Sequence, residues 1–507
     1  MRSIINSAFR LYLKMRYRQI EEFKMNPVKV QDELLMYLVD NARRTQWGKE
    51  HGFSGIYSVK DYRKQPVVDY TLLEPYIKKM MYEEENILVR GKVKWFSKSS
   101  GTTSSKSKFI PVPEDNLTDC HIKGTWDTMA MVYHNNSESK IFQQRSLMMG
   151  GSLQHLKGTE ETYIGDISAI MIKNMPIIGK PFHTPDIDVA LMSDWEKKIE
   201  RMAKIVSEHE DVVAFGGVPT WVVVLFKKIL DITGKDHMLD VWPELECYLH
   251  GGVGFRPYRD QFKEFIPSDK FNYIEVYNAT EGYFAAQEYF GTDDMLLLLD
   301  NGIYYEFIPI HQLDYRNPDV LSLQDVEVGK QYALVITTNA GLWRYMPGDT
   351  VTFTSTFPFR IQVTGRTKQY VNAFGEEVII DNTDKAIAET CSELNAQVAE
   401  YTMGPRYFGQ EAKAAHEWIL EFEKEPECLD VFNKILDDNL KRLNSDYEAK
   451  REKDMALTRP HIHKVPKDTF QRWLKSKGKL GGQHKVPRLA NDRSYLEEIL
   501  QFAESNR

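Results

Sequence analysis

The stretch Val212 to Thr280 decides the fold. It begins Val212-Val213-Ala214-Phe215-Gly216-Gly217. Pro219-Thr220-Trp221 then opens an apolar helical pattern that runs to Ile232. Leu245-Glu246-Cys247-Tyr248-Leu249-His250-Gly251-Gly252 follows, then a helical piece from Tyr258 to Phe265. It ends on Tyr273-Ile274-Glu275-Val276-Tyr277-Asn278-Ala279-Thr280. Short apolar runs alternate with segments of helical length, which is the pattern of a parallel sheet with crossover helices. A proline such as Pro219 suits a helix start, because the N–H it lacks would have no partner there. Upstream, Asp194 to Glu208 sets Ile199, Met202, Ala203 and Val206 on one helical face.

Working outward, residues 1 to about 90 read as largely helical. From about residue 285 the pattern turns antiparallel. Met295–Asp300 and Ile303–Ile310 flank Asn301-Gly302, a strong hairpin signal. Ala333–Tyr345 holds a second turn at Asn339-Ala340-Gly341, and Thr350–Thr354 and Phe359–Gly365 continue the strands. Thr364 to Glu377 is polar with two glycines, so a boundary is expected there. The expected class is α/β. A large N-terminal domain, 1–366, has parallel sheets flanked by helices plus a β-barrel-like antiparallel part. A small mobile α+β domain, 367–507, follows. No internal repeat or low-complexity segment interrupts the pattern.

The bulk properties exclude several classes. A chain of 507 residues with 42% hydrophobic content can bury a large core and calls for two or more domains. A net charge of −8 argues against a nucleic-acid partner. Cys120, Cys247, Cys391 and Cys428 lie far apart with no CxxC pair, which fits a reducing, cytoplasmic interior. No apolar run approaches the roughly 18 residues of a membrane span. The basic segment Met1–Phe23 lacks a continuous apolar core and a cleavage site, so it reads as a helix packed on the body, with a membrane-surface helix as the alternative, rather than a signal peptide. A monomer or weak dimer is expected.

Four stretches carry candidate chemistry. Ser97 to Lys108 crowds hydroxyls and three lysines around Gly101, between an apolar segment (Val93, Trp95, Phe96) and another (Phe109, Ile110, Val112). Glycine admits a ligand close to the backbone, and successive N–H and hydroxyl donors can surround phosphate oxygens. The pattern is not a Walker A loop, and a solvated loop explains it equally well. Tyr277-Asn278-Ala279-Thr280-Glu281-Gly282 ends an apolar strand, and ligands bind at that edge of a parallel sheet. Glu281 can hold Mg²⁺ against phosphates there; taken alone it reads as a surface turn residue. In Trp343-Arg344-Tyr345-Met346-Pro347-Gly348-Asp349 the Pro-Gly turn can aim Asp349 outward. A carboxylate so placed can accept both hydrogen bonds of a vicinal diol, or merely close a hairpin. In Gly481-Gly482-Gln483-His484-Lys485-Val486-Pro487-Arg488, Lys485 can swing into a site made by another domain, or sit in a solvated basic loop. His461 and His463 alternate on an expected strand, where a paired metal site is conceivable. No Ser-His-Asp or Cys-His arrangement stands out.

In this order and spacing the series Ser99–Lys108, Tyr277–Gly282, Trp343–Val351 and Thr364–Lys368 resembles the motifs of the adenylate-forming superfamily: acyl-CoA synthetases, nonribosomal adenylation domains and luciferases. The nearer resemblance is to the auxin-responsive promoter family, the acyl acid amido synthetases of plants and their bacterial relatives. The YNATEG form, Gly217–Trp221 (GVPTW), the segment Ile303–Pro309 (IYYEFIP) and the terminal GGQHKVPR carry it. It covers nearly the whole chain.

The resemblance implies a two-step ligase using ATP and Mg²⁺. A carboxylic acid attacks the α-phosphorus of ATP, giving acyl-AMP and pyrophosphate. An amine, as in an amino acid, then displaces AMP. It implies that Ser99, Ser100, Gly101, Thr102, Thr103 and Lys106 bind the β- and γ-phosphates. Thr280 would contact the α-phosphate and Glu281 would hold Mg²⁺. Asp349 and Arg366 would bind the ribose, and Gly251 and Gly252 would form the adenine-side turn. Tyr277, or Tyr304 and Tyr305, would offer a face to the base. Lys368 would be the hinge, and Lys485 the lysine that the C-terminal domain brings to the α-phosphate. Two alternatives share part of this machinery: an acyl-CoA ligase, and a non-catalytic nucleotide- or acyl-binding relative. The acid pocket is expected between Phe142–Leu153, the GVPTW turn and the strand before Tyr277, where Met, Trp and Phe suit a hydrophobic or aromatic acid. Arg145 would meet either a substrate carboxylate or a surface acid.

Overall fold

The computed structural model describes residues 2–99, 108–252, 255, 258–313, 315–367, 370–371, 376, 378–406, 415–451, 457–478, 486–490 and 492–505. The chain opens with helices Arg2–Met25 and Pro27–Ala42. Phe9, Leu13, Tyr17, Ile20 and Phe23 are buried, a stripe with helical spacing, so the first helix packs on the body. Its Arg16 donates to the buried Asp127 (Nη2–Oδ2 2.9 Å).

β1 (Trp95–Ser99) and β2 (Lys108–Val112) pair antiparallel and frame the hydroxyl-rich loop. With β4 (Leu153–His155) and β5 (Tyr163–Gly165) they form a four-stranded sheet. The main sheet has twelve strands. Its parallel half holds β3 (Arg145–Met148), β6 (His183–Thr184), β7 (Val212–Gly217), β8 (Cys247–His250) and β9 (Asn272–Ala279). Helices Trp195–Ser207, Pro219–Thr233 and Arg259–Phe265 connect these strands, as the periodicity predicts.

The antiparallel half continues the same sheet. It holds β10 (Gly282–Ala286), β11 (Met295–Leu297), β12 (Ile303–Pro309), β13 (Leu321–Ser322), β14 (Gln331–Thr338), β15 (Asp349–Thr356) and β16 (Phe359–Arg366). Across the sheet the order is β13-β12-β14-β15-β16-β11-β10-β9-β8-β7-β3-β6. β9 and β10 therefore join the two halves.

The expected hairpin at Asn301-Gly302 does not form. β11 lies between β10 and β16, whereas β12 lies between β13 and β14. Side chains from distant segments hold the crossing. Gln31 Nε2 donates to the carbonyls of Leu299 (2.6 Å) and Ile303 (2.9 Å), and its Oε1 accepts from Tyr305 N–H (2.9 Å). Asn301 Nδ2 donates to the carbonyls of Cys120 and Tyr283, both at 3.1 Å. The Leu299 and Ile303 carbonyls and the Tyr305 N–H are thus satisfied by a side chain from another segment. The turn at Asn339–Gly341 does form, with Gly341 at φ +83°.

Beyond Arg366, a short pair, β17 (Tyr370–Val371) and β18 (Val378–Ile379), leads to helix Ile380–Leu394. β19 (Gln397–Arg406), β20 (Ala415–Lys424) and β21 (His461–Val465) make a three-stranded sheet. Its core gathers Tyr401, Trp418, Phe432, Leu436 and Leu440. It touches the larger part of the chain through Gln397 with Glu264 (2.6 Å), Lys227 with Glu423 (2.9 Å) and Arg488 with the Tyr258 hydroxyl (3.0 Å). Among the described residues no helix is long and apolar enough to cross a membrane. All four cysteines are unpaired.

Candidate active site

The carboxyl ends of β7, β8 and β9 open into a cleft of about 1140 Å³. The C-terminal segment contributes its opposite wall through Asp384, Glu400, Val486 and Arg488. Three local devices build the polar end.

The first is the turn between β9 and β10. Ala279 pairs with Gly282, so Thr280 and Glu281 alone make the reversal, at the junction of the two halves of the sheet. Glu281 is 5% exposed. Its Oε2 accepts from the Thr280 hydroxyl at 2.5 Å. Burial pushes the Glu281 carboxyl above the ordinary glutamate range. The Thr280 bond opposes that rise, the Asp349 charge adds to it, and Arg366 and Lys108 oppose it. A buried anion with one hydroxyl partner and another carboxylate nearby is under-compensated, and such a group favours a cation.

The second device is a cross-strand pair. Asp349 and Arg366 are direct partners in the β15–β16 register. Opposite charges so placed attract, and Arg366 Nε donates to Asp349 Oδ1 at 2.8 Å. The Tyr277 hydroxyl donates to Asp349 Oδ2 at 2.6 Å, so both oxygens are oriented. The Asp349 charge raises the Arg366 pKa. Burial, then the same charge, lifts the Tyr277 phenol far above its usual range, so it stays a donor. One face of the Tyr277 ring stacks on Phe284 at 4.5 Å.

The third is the turn after β8. A Cβ on Gly251 would stand 2.3 Å from the Val276 carbonyl, and Gly252 has φ +83°. Only glycine allows both the close approach and that conformation. His250, just before, stacks on Phe255 at 4.1 Å. Burial lowers its pKa to about 3, so it is a neutral wall.

Ser99 lines the cleft at the end of β1. Ser100, Gly101, Thr102, Thr103 and Lys106 lie outside the described residues, as do Lys368 and Lys485. Lys108, which closes the loop, sits 3.4 Å from the Tyr345 hydroxyl.

Tyr304 needs correction as a base-stacking residue. Its ring is buried in the core and lies near Glu306, Asp32 and Arg63. Tyr305 is equally buried and donates to the Leu298 carbonyl at 3.2 Å. The structure sets both rings in the core rather than along the cleft, because β12 pairs with β14 instead of folding back on β11.

Two arginines went unassigned in the sequence motifs. Arg344, in the motif that ends on Asp349, makes two 2.8 Å bonds to the buried Glu306 and is architectural. Arg488, in the terminal motif, bonds Asp384 at 2.9 Å as well as Tyr258. It stacks on the Tyr401 ring at 4.5 Å.

The other end of the cleft is apolar. Trp126, Met129, Ile141, Phe142 and Phe182 line it, next to Met148, Met149, Trp221 and Tyr273. The three segments expected around an acid pocket thus share one cavity. Ser146 and His183 are register partners on β3 and β6 and interrupt the apolar wall. Arg145 pairs with Asp211 rather than facing a ligand.

A sheet that passes from parallel to antiparallel at a buried carboxylate, with a smaller unit closing the cleft, is the fold of adenylate-forming enzymes. The structure of 2-hydroxyisobutyryl-CoA ligase in the postadenylation state matches with a TM-score of 0.60 at 13% identity, over 94% of this chain and 91% of that one. The GH3.15 acyl acid amido synthetase in complex with 2,4-DB matches with a TM-score of 0.80 at 15% identity, over 96% of each chain. The chain belongs to the GH3 family: the family's N-terminal, central and C-terminal domain models match residues 16–271, 296–366 and 381–494. Relatives include the indole-3-acetic acid-amido synthetase GH3.3 of Arabidopsis thaliana, 23% identical over 95% of this chain and 92% of that protein. The 4-substituted benzoates-glutamate ligase GH3.12 of the same plant is 20% identical over 95% and 96%. The jasmonoyl--L-amino acid synthetase JAR4 of Nicotiana attenuata is 25% identical over 66% and 68%.

The raised Glu281 pKa sets a sign for pH dependence. A cation needs the anionic carboxylate, so binding weakens as pH falls through the raised pKa. If Glu281 holds Mg²⁺, the acidic limb of ATP–pyrophosphate exchange follows the Glu281 carboxyl and should move to lower pH as Mg²⁺ is increased. A limb that does not respond to Mg²⁺ would assign it to another group.

Proposed function

We propose that this chain is an ATP-dependent acyl acid amido synthetase, joining a small carboxylic acid to an amine, in particular an amino acid, through acyl-AMP. The observation that carries the reading is the juxtaposition of the Tyr277–Asp349–Arg366 group with the Thr280–Glu281 turn in one cleft that continues into an apolar pocket. Family membership supports it.

Asp349, oriented by Tyr277 and Arg366, accepts the two hydroxyls of the ATP ribose. The Gly251–Gly252 turn admits the base, and Tyr277 offers it a ring face. Ser99 begins the loop, continued by Ser100–Thr103 and Lys106, that holds the outer phosphates, and Thr280 contacts the α-phosphate. The buried, under-compensated Glu281 fits a Mg²⁺ ligand. When bound, Mg²⁺ neutralises phosphate charge. The acid's carboxylate oxygen attacks the α-phosphorus and pyrophosphate leaves. The amine nitrogen then attacks the acyl carbon, loses a proton, and AMP departs. The protein contributes positioning and charge rather than a covalent nucleophile.

Residues 367–507 act as the mobile unit that brings Lys485 to the α-phosphate. Both parts of the chain line the cleft, which is compatible with the expected monomer or weak dimer. ATP is the co-substrate and the cysteines are unpaired, which suits a cytoplasmic enzyme. The pocket walls select an aromatic or apolar acid, and Ser146 and His183 add a polar recognition point.

A pyrophosphate-release screen over carboxylic acids tests this reading. Release is expected with an aromatic or apolar acid, and acyl-AMP should then be consumed by amino acids. Consumption by CoA in place of amines would make the protein an acyl-CoA ligase. No exchange with any acid would make it a binding protein.

A further inference from the structure

A second constellation lies on the C-terminal sheet, and the reaction above does not use it. β20 and β21 run parallel, with Glu417 opposite His461 and Ile419 opposite His463. Residues two apart on a strand share a face, and register partners do too, so Glu417, His461 and His463 stand on one face of the sheet. Their donor atoms converge. His461 Nδ1 lies 3.1 Å from His463 Nε2, and Glu417 Oε1 lies 2.5 Å from His463 Nε2 and 3.8 Å from His461 Nδ1.

We propose that Glu417, His461 and His463 form a binding site for a divalent transition-metal ion of the zinc type. The spacing fits: four-coordinate zinc with bonds of about 2.0–2.1 Å sets its ligand atoms roughly 3.3 Å apart, and the three observed separations bracket that value. The donor set fits as well, because two imidazoles and one carboxylate suit zinc and its neighbours rather than Mg²⁺. A cation satisfies three convergent lone pairs together, which a single shared proton does less well.

The surroundings orient the ligands. Arg493 Nη1 holds the other oxygen of Glu417 at 2.5 Å and donates to the Pro405 carbonyl at 2.9 Å, so the carboxylate is fixed from behind. An outer partner of this kind aims a metal ligand. Its positive charge also weakens cation binding, so the site is not a high-affinity one. His461 is exposed and leaves the fourth position open to solvent. β21 is an edge strand of its sheet, and the ion would clip it to β20. The effect is on the stability of this unit rather than on acyl transfer.

The test uses the full chain without an affinity tag, stripped with a chelator and titrated with Zn²⁺ by calorimetry. One equivalent is expected to bind, and equimolar Mg²⁺ should not compete. His461→Ala and His463→Ala should each weaken binding at least about tenfold, since loss of merely an outer partner costs that much. Zn²⁺ should raise the melting temperature of the parent protein and not that of the double variant. It should also protect both histidines of the parent from diethylpyrocarbonate, a readout that needs no variant. A parent protein that binds no Zn²⁺, or a double variant that binds it unchanged, overturns the proposal.

Discussion

Glu281→Gln is expected to lower ATP–pyrophosphate exchange by roughly 10²–10³-fold, the loss typical of removing one charge-stabilising group from a reaction centre. The substitution is nearly isosteric, and the amide oxygen can still accept from the Thr280 hydroxyl. The fold should therefore survive. Burial raises the Glu281 pKa, which means that the anion is disfavoured in the folded protein relative to the unfolded chain. Replacing it with a neutral amide relieves that cost, so the melting temperature without nucleotide should stay level or rise. An unfolded variant would lose activity and melting temperature together, and this pairing separates the two causes. The deficit should be largest at limiting Mg²⁺. Near-normal exchange under that condition would remove Glu281 from the cation-holding role.

The sequence showed the parallel half of the fold more clearly than the antiparallel half, for a physical reason. β7, β8 and β9 are short apolar runs separated by helices with apolar faces, and that pattern is local. The course of β11 and β12 is not local. Asn301-Gly302 has the residues of a hairpin, yet Gln31, far away in the chain, bonds both sides of the crossing. No local pattern encodes that partner, and the placement of Tyr304 failed with it.

The candidate site was legible as separate residues and illegible as an arrangement. Glu281 and Asp349 stand out through their motifs, but a one-residue shift between β15 and β16 would separate Asp349 from Arg366. The register that joins them is a property of the folded sheet. Arg488 lay in a quoted motif without a role, because Asp384 and Tyr258 are its neighbours only in three dimensions.

The second large effect concerns Lys485 and Lys368, both outside the described residues. Val486 and Arg488, just beyond Lys485 in sequence, line the cleft, and Arg488 binds Tyr258, which lines it too. The described residues that follow Lys485 thus share one cleft with Glu281 and Asp349. Negative charge accumulates when a carboxylate meets the α-phosphate, and an ammonium group delivered there offsets it. Lys485→Ala is expected to slow adenylate formation by about 10²-fold or more, by the same reasoning as for other charge-stabilising groups. Use of preformed acyl-AMP with an amine should be much less affected. Lys368→Pro should do the reverse. Proline fixes φ near −65° and would hinder a swing at the hinge, so the adenylate would form and transfer would slow. Chemically made acyl-AMP and amine, compared with ATP–pyrophosphate exchange, separate the two halves in each variant. Equal losses in Lys485→Ala would show that the lysine is not specific to adenylation. If Lys368→Pro leaves both halves intact, no rotation about that residue is needed, and the two half-reactions share one orientation of the C-terminal unit.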